Sequence, residues 1–267
     1  MIETLIIIRT KNEDRWLKAT LEKIFIQTYK NFTVAVVDNN SADRTLEIAK
    51  RHDTRVFKIK KFLPGKAINL PVKNIKSKFV VCLSAHCIPT DKNWLKNLLK
   101  PFKNKKVAAV YGKQLPMFNT ESQNYRDLKI VFGNDKKIQK KDYFFHNANS
   151  AIRSSLLKKY PFSDKVTNIE DRLWAKQILD LNKNFQIIYE PKAAVFHHHG
   201  LHQGNDKKRL DGVIKIMKNI ENENLYPDEF LINNQKIYAC IIGKQYKNLS
   251  KKYIQTNKSL ILKLEDN

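Results

Sequence analysis

Four groups of side chains in this 267-residue chain have types and spacings suited to chemistry. Ser84-Ala85-His86 ends the apolar run Phe79-Val80-Val81-Cys82-Leu83. The carboxyl end of a buried strand is where α/β proteins bind ligands, and a neutral imidazole there is a common ligand for Mn²⁺- or Zn²⁺-like ions. Glu170-Asp171 heads an amphipathic stretch that carries Trp174 one turn later. Carboxylates are favoured at a helix start by the macrodipole and the free N–H groups. A carboxylate that also faces a cleft can take the proton of a bound hydroxyl. His197-His198-His199 follows the short apolar run Ala193-Ala194-Val195-Phe196. Alternate side chains of an extended segment share a face, so His197 and His199 point one way and His198 the other. Asp38 closes the run Phe32–Val37 and begins Asp38-Asn39-Asn40-Ser41-Ala42-Asp43. An acid in that place can accept hydrogen bonds from a nucleobase or ribose, while Ser41 or Asp43 caps the following helix.

The elements that must position these groups alternate. Leu5–Ile8 reads as a buried strand, residues 16–25 as a helix, 32–37 as a strand, 45–51 as a helix, 56–59 as a short strand, 67–73 as a short helix and 79–83 as a strand. That order implies a mostly parallel sheet with right-handed crossovers, its functional residues gathered at strand carboxyl ends. Beyond Pro89 the pattern predicts a helix at 94–99, a strand at 107–112, and a flexible, lid-like loop over 118–142. Residues 147–153 lead into a helix, 169–179 form another, and 185–189 and 193–196 are short late strands. The expected organisation is a main domain over 1–204, with a ligand-binding half at 1–112 and a catalytic half at 113–204. A basic, mostly helical extension follows over 205–267.

Fifty Lys and Arg against 26 Asp and Glu give a formal charge of +24, which suits an anionic membrane surface or a phosphorylated ligand. No nucleic-acid-binding motif accompanies it, and the basic residues are spread along the chain, so nucleic acid is not an expected partner. Residues 206–221 have the spacing of an amphipathic basic helix, with Leu210, Val213, Ile214 and Met217 on one face. Such a face suits either a membrane surface or packing onto the main domain. The three cysteines, Cys82, Cys87 and Cys240, form neither a disulfide framework nor a zinc pair. With no basic leader before the first apolar run and no membrane-length segment, a cytoplasmic location is expected, with the inner membrane face as an option.

In combination these segments resemble the family 2 glycosyltransferases, nucleotide-sugar enzymes of the GT-A fold. The pieces that carry the resemblance lie between Leu5 and about His199, in the family's order. They are Ile8-Arg9-Thr10-Lys11-Asn12, the stretch Val37 to Thr45, Gly65-Lys66-Ala67-Ile68-Asn69, Ser84-Ala85-His86 and Glu170-Asp171-Arg172-Leu173-Trp174. The resemblance implies a Rossmann-like, mostly parallel sheet flanked by helices. It implies that Arg9, Thr10, Asn12, Asp38, Asn40, Gly65, Lys66, Ser84 and Ala85 line the donor pocket. It further implies that Asp171 is the general base, with Glu170 in support, in an inverting transfer to a glycan or lipid-linked acceptor. Asn149 and Trp174 are candidates for substrate contact, and the stretch Asn147 to Ser150 for the acceptor side.

The chain departs from the family where most members carry Asp-x-Asp, having Ser84-Ala85-His86 instead. A related group with Asp-x-His binds manganese through that His and a later one, which is similar to a pairing of His86 with His197 or His199. A divalent metal, Mn²⁺ or Mg²⁺, is therefore implied. The alternative is a protonated His86 that, with nearby Lys or Arg, neutralises the diphosphate. Two other functions compete. A nucleotidyltransferase would need a glycine-rich phosphate loop, and Arg9-Thr10-Lys11-Asn12 has no glycine. A non-catalytic basic module binding membrane or nucleic acid would bind in a salt-sensitive way without consuming a nucleotide sugar.

Overall fold

A computed structural model describes residues 2–198, apart from 119, 121 and 167. The expectations for His199, for Cys240 and for the extension at 205–267 lie outside the described residues.

The elements in order are β1 (Ile2–Thr10), α1 (Asp14–Phe25), β2 (Phe32–Asp38), α2 (Thr45–Lys50), β3 (Thr54–Lys58), α3 (Pro64–Asn74), β4 (Ser77–Ser84) and β5 (Cys87–Pro89). Then come α4 (Trp94–Leu99), a 3₁₀ turn (Lys100–Lys103), β6 (Val107–Pro116), α5 (Ser122–Val131), β7 (Lys137–Gln139), β8 (Asn149–Arg153), α6 (Ser154–Lys159), α7 (Glu170–Leu181) and β9 (Gln186–His197). One nine-stranded sheet runs β3-β2-β1-β4-β8-β6-β9-β5, with β7 also paired to β9, along the edge opposite β6. β1 to β4 are mutually parallel, β8 is antiparallel to both its neighbours, and β6 and β9 return to the first direction. The sheet is thus mostly parallel, as the β-α alternation predicts, and it spans both halves of the expected main domain.

β1 and β4 are buried on both faces, which is why Leu5–Ile8 and Phe79–Leu83 read as unbroken apolar runs. On one face Ile6, Ile8, Val34, Val36, Val81 and Leu83 share a core with Leu17, Leu21 and Ile24 of α1 and Leu95 and Leu98 of α4. The 17-21-24 spacing is one stripe of a helix. On the other face α3 packs on β1, β2 and β4.

The second half differs from the sequence expectation at three places. The stretch 118–142 is not a structureless lid: it contains α5 and β7, and Leu128, Val131 and Phe132 are buried. Residues 149–153, expected only as a lead-in to a helix, form a central strand that runs straight into α6, and Asn149 and Ser150 within it are fully buried. Buried amides are tolerated because they are bonded. The Asn149 carboxamide accepts from Trp94 Nε1 at 3.0 Å and donates to the carbonyls of Lys113 and Ala193 at 3.1 and 2.8 Å. The two short late strands are one strand, β9, broken by a bulge opposite Gly112–Gln114. Pro191 falls in this irregular stretch, where its missing donor costs no ladder bond.

Among the described residues no helix is long and apolar enough to cross a membrane.

Candidate active site

The carboxyl ends of β1, β2 and β4 meet the start of α7 and the segment entering β8. Registers fix the first layer: Thr10 lies opposite Asp38, and Arg9 opposite both Val37 and Ser84. Asp38 is buried and accepts from Thr10 Oγ1 at 3.2 Å, from the Ser41 backbone N–H at 3.1 Å and from the Ser41 hydroxyl. The loops that leave β1 and β2 clasp each other: the Asn12 N–H donates to Ser41 Oγ at 2.9 Å, and the Ala42 N–H to Asn12 Oδ1 at 2.8 Å. Asn12 and Asn40 both adopt left-handed backbone, with φ of 54° and 52°. Asparagine tolerates that region better than most residues. Asp43 does the joining work expected of a cap, accepting from the N–H groups of Asp14 and Thr45 at 3.0 Å each.

Glu170 and Asp171 open α7 immediately after Ile169, whose φ is 52°. A β-branched residue in the left-handed region is strained, and such strain persists where the surroundings over-determine it. Both acids are buried. Glu170 Oε1 accepts from Arg9 Nη1 at 3.2 Å and from Asn147 Nδ2 at 3.3 Å. Asp171 Oδ2 accepts from the Asn147 N–H at 2.9 Å, and its other oxygen from the Arg172 N–H at 2.8 Å. Burial pushes both carboxyls above the usual range, and Asp171 raises Glu170 further, while Arg9 opposes the rise in each. Both acids are thus poised closer to neutrality than free carboxylates.

Next to this pair is a row of imidazoles. His86 Nδ1 lies 2.8 Å from Glu13 Oε1, and its ring stacks on that of His197 at 5.2 Å with only 4° between planes. His197 Nδ1 is 2.7 Å from Gln114 Oε1, and the Gln114 amide nitrogen is 3.0 Å from His146 Nδ1. The Glu13 and Gln114 oxygens accept, so His86 and His197 each donate from Nδ1. His86 and His197 are thus brought together as expected, and His198 departs on the other face, its ring 4.5 Å from Trp16.

Other expected site residues have different surroundings. Trp174 is buried, donates its N–H to the Tyr160 carbonyl at 2.8 Å and packs between Phe145 and Phe162. It braces α7 from below, as Asn149 braces β8. Ala85 is buried, and its carbonyl accepts from Thr20 Oγ1 at 2.7 Å. Gly65 has no room for a side chain: a Cβ there would lie 2.1 Å from the Ser163 carbonyl oxygen. Lys66 beside it is exposed, and Ser84 is half-buried at the edge of the site. Glu13, Gln114 and His146 were not singled out from sequence, and no local spacing marks them. Glu13 and Gln114 lie 73 and 83 residues from the histidines they touch.

Residues 5–161 match the family model described as Glycosyl transferase family 2. The chain belongs to that family. Among curated relatives, it is 27% identical over 208 residues to the O-antigen chain rhamnosyltransferase RfbN of Salmonella typhimurium, covering 73% of this chain and 66% of that one. It is 27% identical over 186 residues to WbaN of Salmonella anatum, another O-antigen chain rhamnosyltransferase, covering 65% of this chain and 58% of that one. The family 2 chain thus spans about three fifths to two thirds of these relatives' length. Among solved structures, the mannosyltransferase PcManGT of Pyrobaculum calidifontis, in complex with GDP-Man and Mn²⁺, matches with a TM-score of 0.65 at 17% identity. That match covers 97% of this chain and 80% of the other. The likeness shows a shared fold, the GT-A arrangement implied by the order of motifs.

Proposed function

We propose that this family 2 chain transfers a sugar from a nucleotide-sugar donor to a hydroxyl of a glycan acceptor, with inversion at the anomeric carbon. The observation that carries the reading is Asp171: a buried carboxylate with a raised proton affinity, held by the Asn147 N–H beside the Arg9–Glu170 pair. A general base works best when its proton affinity is tuned toward the working pH. In the proposed step Asp171 takes the acceptor hydroxyl's proton as that oxygen bonds to C1 of the sugar. The bond from C1 to the diphosphate breaks on the opposite side, and the nucleoside diphosphate leaves with the electron pair. Asp38, with three hydrogen bonds on a carboxylate that has about four acceptor sites, retains capacity for a nucleobase or ribose donor. The relatives' action on O-antigen chains supports a polysaccharide or lipid-linked acceptor. A lipid-linked acceptor would bring this +24 chain to an anionic membrane face on the cytoplasmic side.

The residues present fit a divalent ion. His86 and His197 each have Nδ1 engaged by a carboxylate or amide oxygen, the partnership that aims and strengthens the Nε2 of metal-binding histidines. Among the described residues no group of three or more His, Cys, Asp or Glu is placed to hold a metal, so ligand oxygens would complete the coordination. Bound there, Mn²⁺ or Mg²⁺ would neutralise charge on the departing diphosphate. Chelation is expected to stop turnover and added Mn²⁺ to restore it. Gln114→Leu is expected to weaken Mn²⁺ binding about tenfold or more by electron paramagnetic resonance titration. Gln114→Glu, which keeps the acceptor, should retain it. Equal affinities in both variants would remove the positioning role.

Activity also has an expected pH signature. A general base works deprotonated, so rate is present above its pKa and lost as pH falls through it. With Asp171 raised by burial, the acidic limb of kcat/KM should lie above the pH of about 4 expected for an ordinary aspartate. An acidic limb at or below pH 4 would contradict the assignment. The donor itself is found by screening nucleotide sugars in a thermal shift assay with and without Mn²⁺. One donor should raise the melting temperature, since ligands of the native state stabilise it. No shift with any nucleotide sugar would count against the function.

A further inference from the structure

Several basic side chains meet at a second site, at the other end of β1 from Arg9. A hollow of about 590 Å³ opens at the amino ends of β1 and β4, lined by Lys78, Lys96, Lys100 and Lys103. Lys96, Lys100 and Lys103 lie four and three residues apart along α4 and the 3₁₀ turn, all three are exposed and line this hollow, and Lys100 and Lys103 also border the adjoining one. Its floor is apolar: Phe79 and Phe102 are buried and stack at 4.7 Å. Among the described lining residues Glu3 is the one carboxylate, and it sits 3.6 Å from Lys78 Nζ. The ion pairs among the described residues include none of Lys96, Lys100 and Lys103. In the adjoining hollow, by contrast, Lys136 is matched by Glu190 at 3.3 Å. The end with the Glu170–Asp171 pair is matched too, with Arg9 on Glu170 at 3.2 Å.

Ammonium groups brought together over an aromatic floor, with one carboxylate that is paired to Lys78, repel each other until an anion arrives. We propose that this hollow binds the phosphate groups of an anionic ligand, the lysines taking phosphoryl oxygens and the phenyl floor covering an adjoining apolar part. Lysine serves phosphate as a point charge and needs no fixed fork geometry. The site stands apart from the transfer reaction: Glu3 and Arg9 are six residues apart on β1, or about 20 Å along the strand. Two sources share this chemistry, a soluble phosphorylated compound and the headgroup of an anionic lipid. The second would seat the amino end of the sheet on a bilayer and hold the Glu170–Asp171 end some 20 Å from it.

The test compares the full chain with Lys96→Gln/Lys100→Gln/Lys103→Gln and with a control of equal charge, Lys18→Gln/Lys23→Gln/Lys50→Gln, at exposed positions of α1 and α2. Each is titrated with inorganic pyrophosphate by calorimetry and with vesicles of phosphatidylglycerol in phosphatidylcholine by co-sedimentation. The hollow variant should lose roughly thirtyfold to a hundredfold in affinity for at least one probe, and the control less than about threefold. Loss confined to vesicles assigns the lipid headgroup, and loss for pyrophosphate assigns a soluble phosphate. Equal losses in the two variants, wild-type affinity in the hollow variant, or no binding of either probe by the wild type would each overturn the proposal.

Discussion

Asp171→Asn is expected to reduce sugar transfer by about a thousandfold while leaving donor binding intact, because it removes the proton acceptor and preserves the side chain's shape. The surroundings make the substitution informative. Asp171 Oδ1 and Oδ2 each accept a backbone N–H, from Arg172 and Asn147, so the carboxylate's place is fixed from two sides. An Asn there keeps one of those acceptors, which holds α7 in place well enough for binding to be measured. Thermal shift with the preferred nucleotide sugar should be nearly unchanged while turnover collapses, the pattern of an interaction made in the transition state. Glu170→Gln should cost less. Its Oε1 can still accept from Arg9 and Asn147, and only the charge beside Asp171 is lost. That change should also shift the acidic limb of the rate profile to lower pH, because the Glu170 charge favours protonation of its neighbour. Comparable losses in the two variants would point to a structural role for the pair.

Gly112→Ala carries the largest expected effect on stability. The bulge in β9 brings the Ala193 carbonyl against β6, and a Cβ at Gly112 would lie 2.0 Å from that oxygen and 2.4 Å from Asn149 Nδ2. Neither can yield at little cost: Asn149 is bonded to Trp94, Lys113 and Ala193, and the carbonyl is main chain. The clash belongs to the overpacking class with a backbone shift, so a loss of roughly 3 kcal/mol or more is expected. For a domain of this size that corresponds to a fall of about 10 °C in Tm. Gly133→Ala is the control, since nothing lies within 4 Å of the added Cβ, and it should change stability by no more than about 0.5 kcal/mol. Thermal denaturation of the two variants decides the point. A similar Tm for both would show that β6 and β9 adjust freely.

The first half of the fold was legible because its central strands β1 and β4 are buried on both faces. Leu5–Ile8 and Phe79–Leu83 offer no alternative to parallel strands, and the turn after Asp38 follows from Asp43 and Ser41. The second half hid for the opposite reason. β8 begins Asn149-Ser150, polar residues that sequence rules place in turns, and only Trp94, Lys113 and Ala193, distant in the chain, make their burial tolerable. β5 is three residues long and ends in proline, too short to show a period. In the site itself, the acid pair and the histidines could be named from their types. Their orientation could not, since Glu13, Gln114 and the Asn147 N–H reach them across the fold. Burial also reassigns Trp174 and Asn149, whose polar atoms are spent on Tyr160 and on the braces of β8.

Family membership makes Asp171 and the histidine row readable together. Asp171 stands at the start of α7, Arg9 ties Glu170 to the end of β1, and the loop after β4 carries His86 toward His197. Such an arrangement suits a single displacement in which acceptor and leaving group lie on opposite sides of the sugar. The anomeric configuration of the newly transferred sugar, read by proton NMR from the first product formed with the preferred nucleotide sugar, tests this most directly. The account expects the configuration opposite to that of the donor. A product that retains the donor's configuration would contradict direct displacement with Asp171 as base.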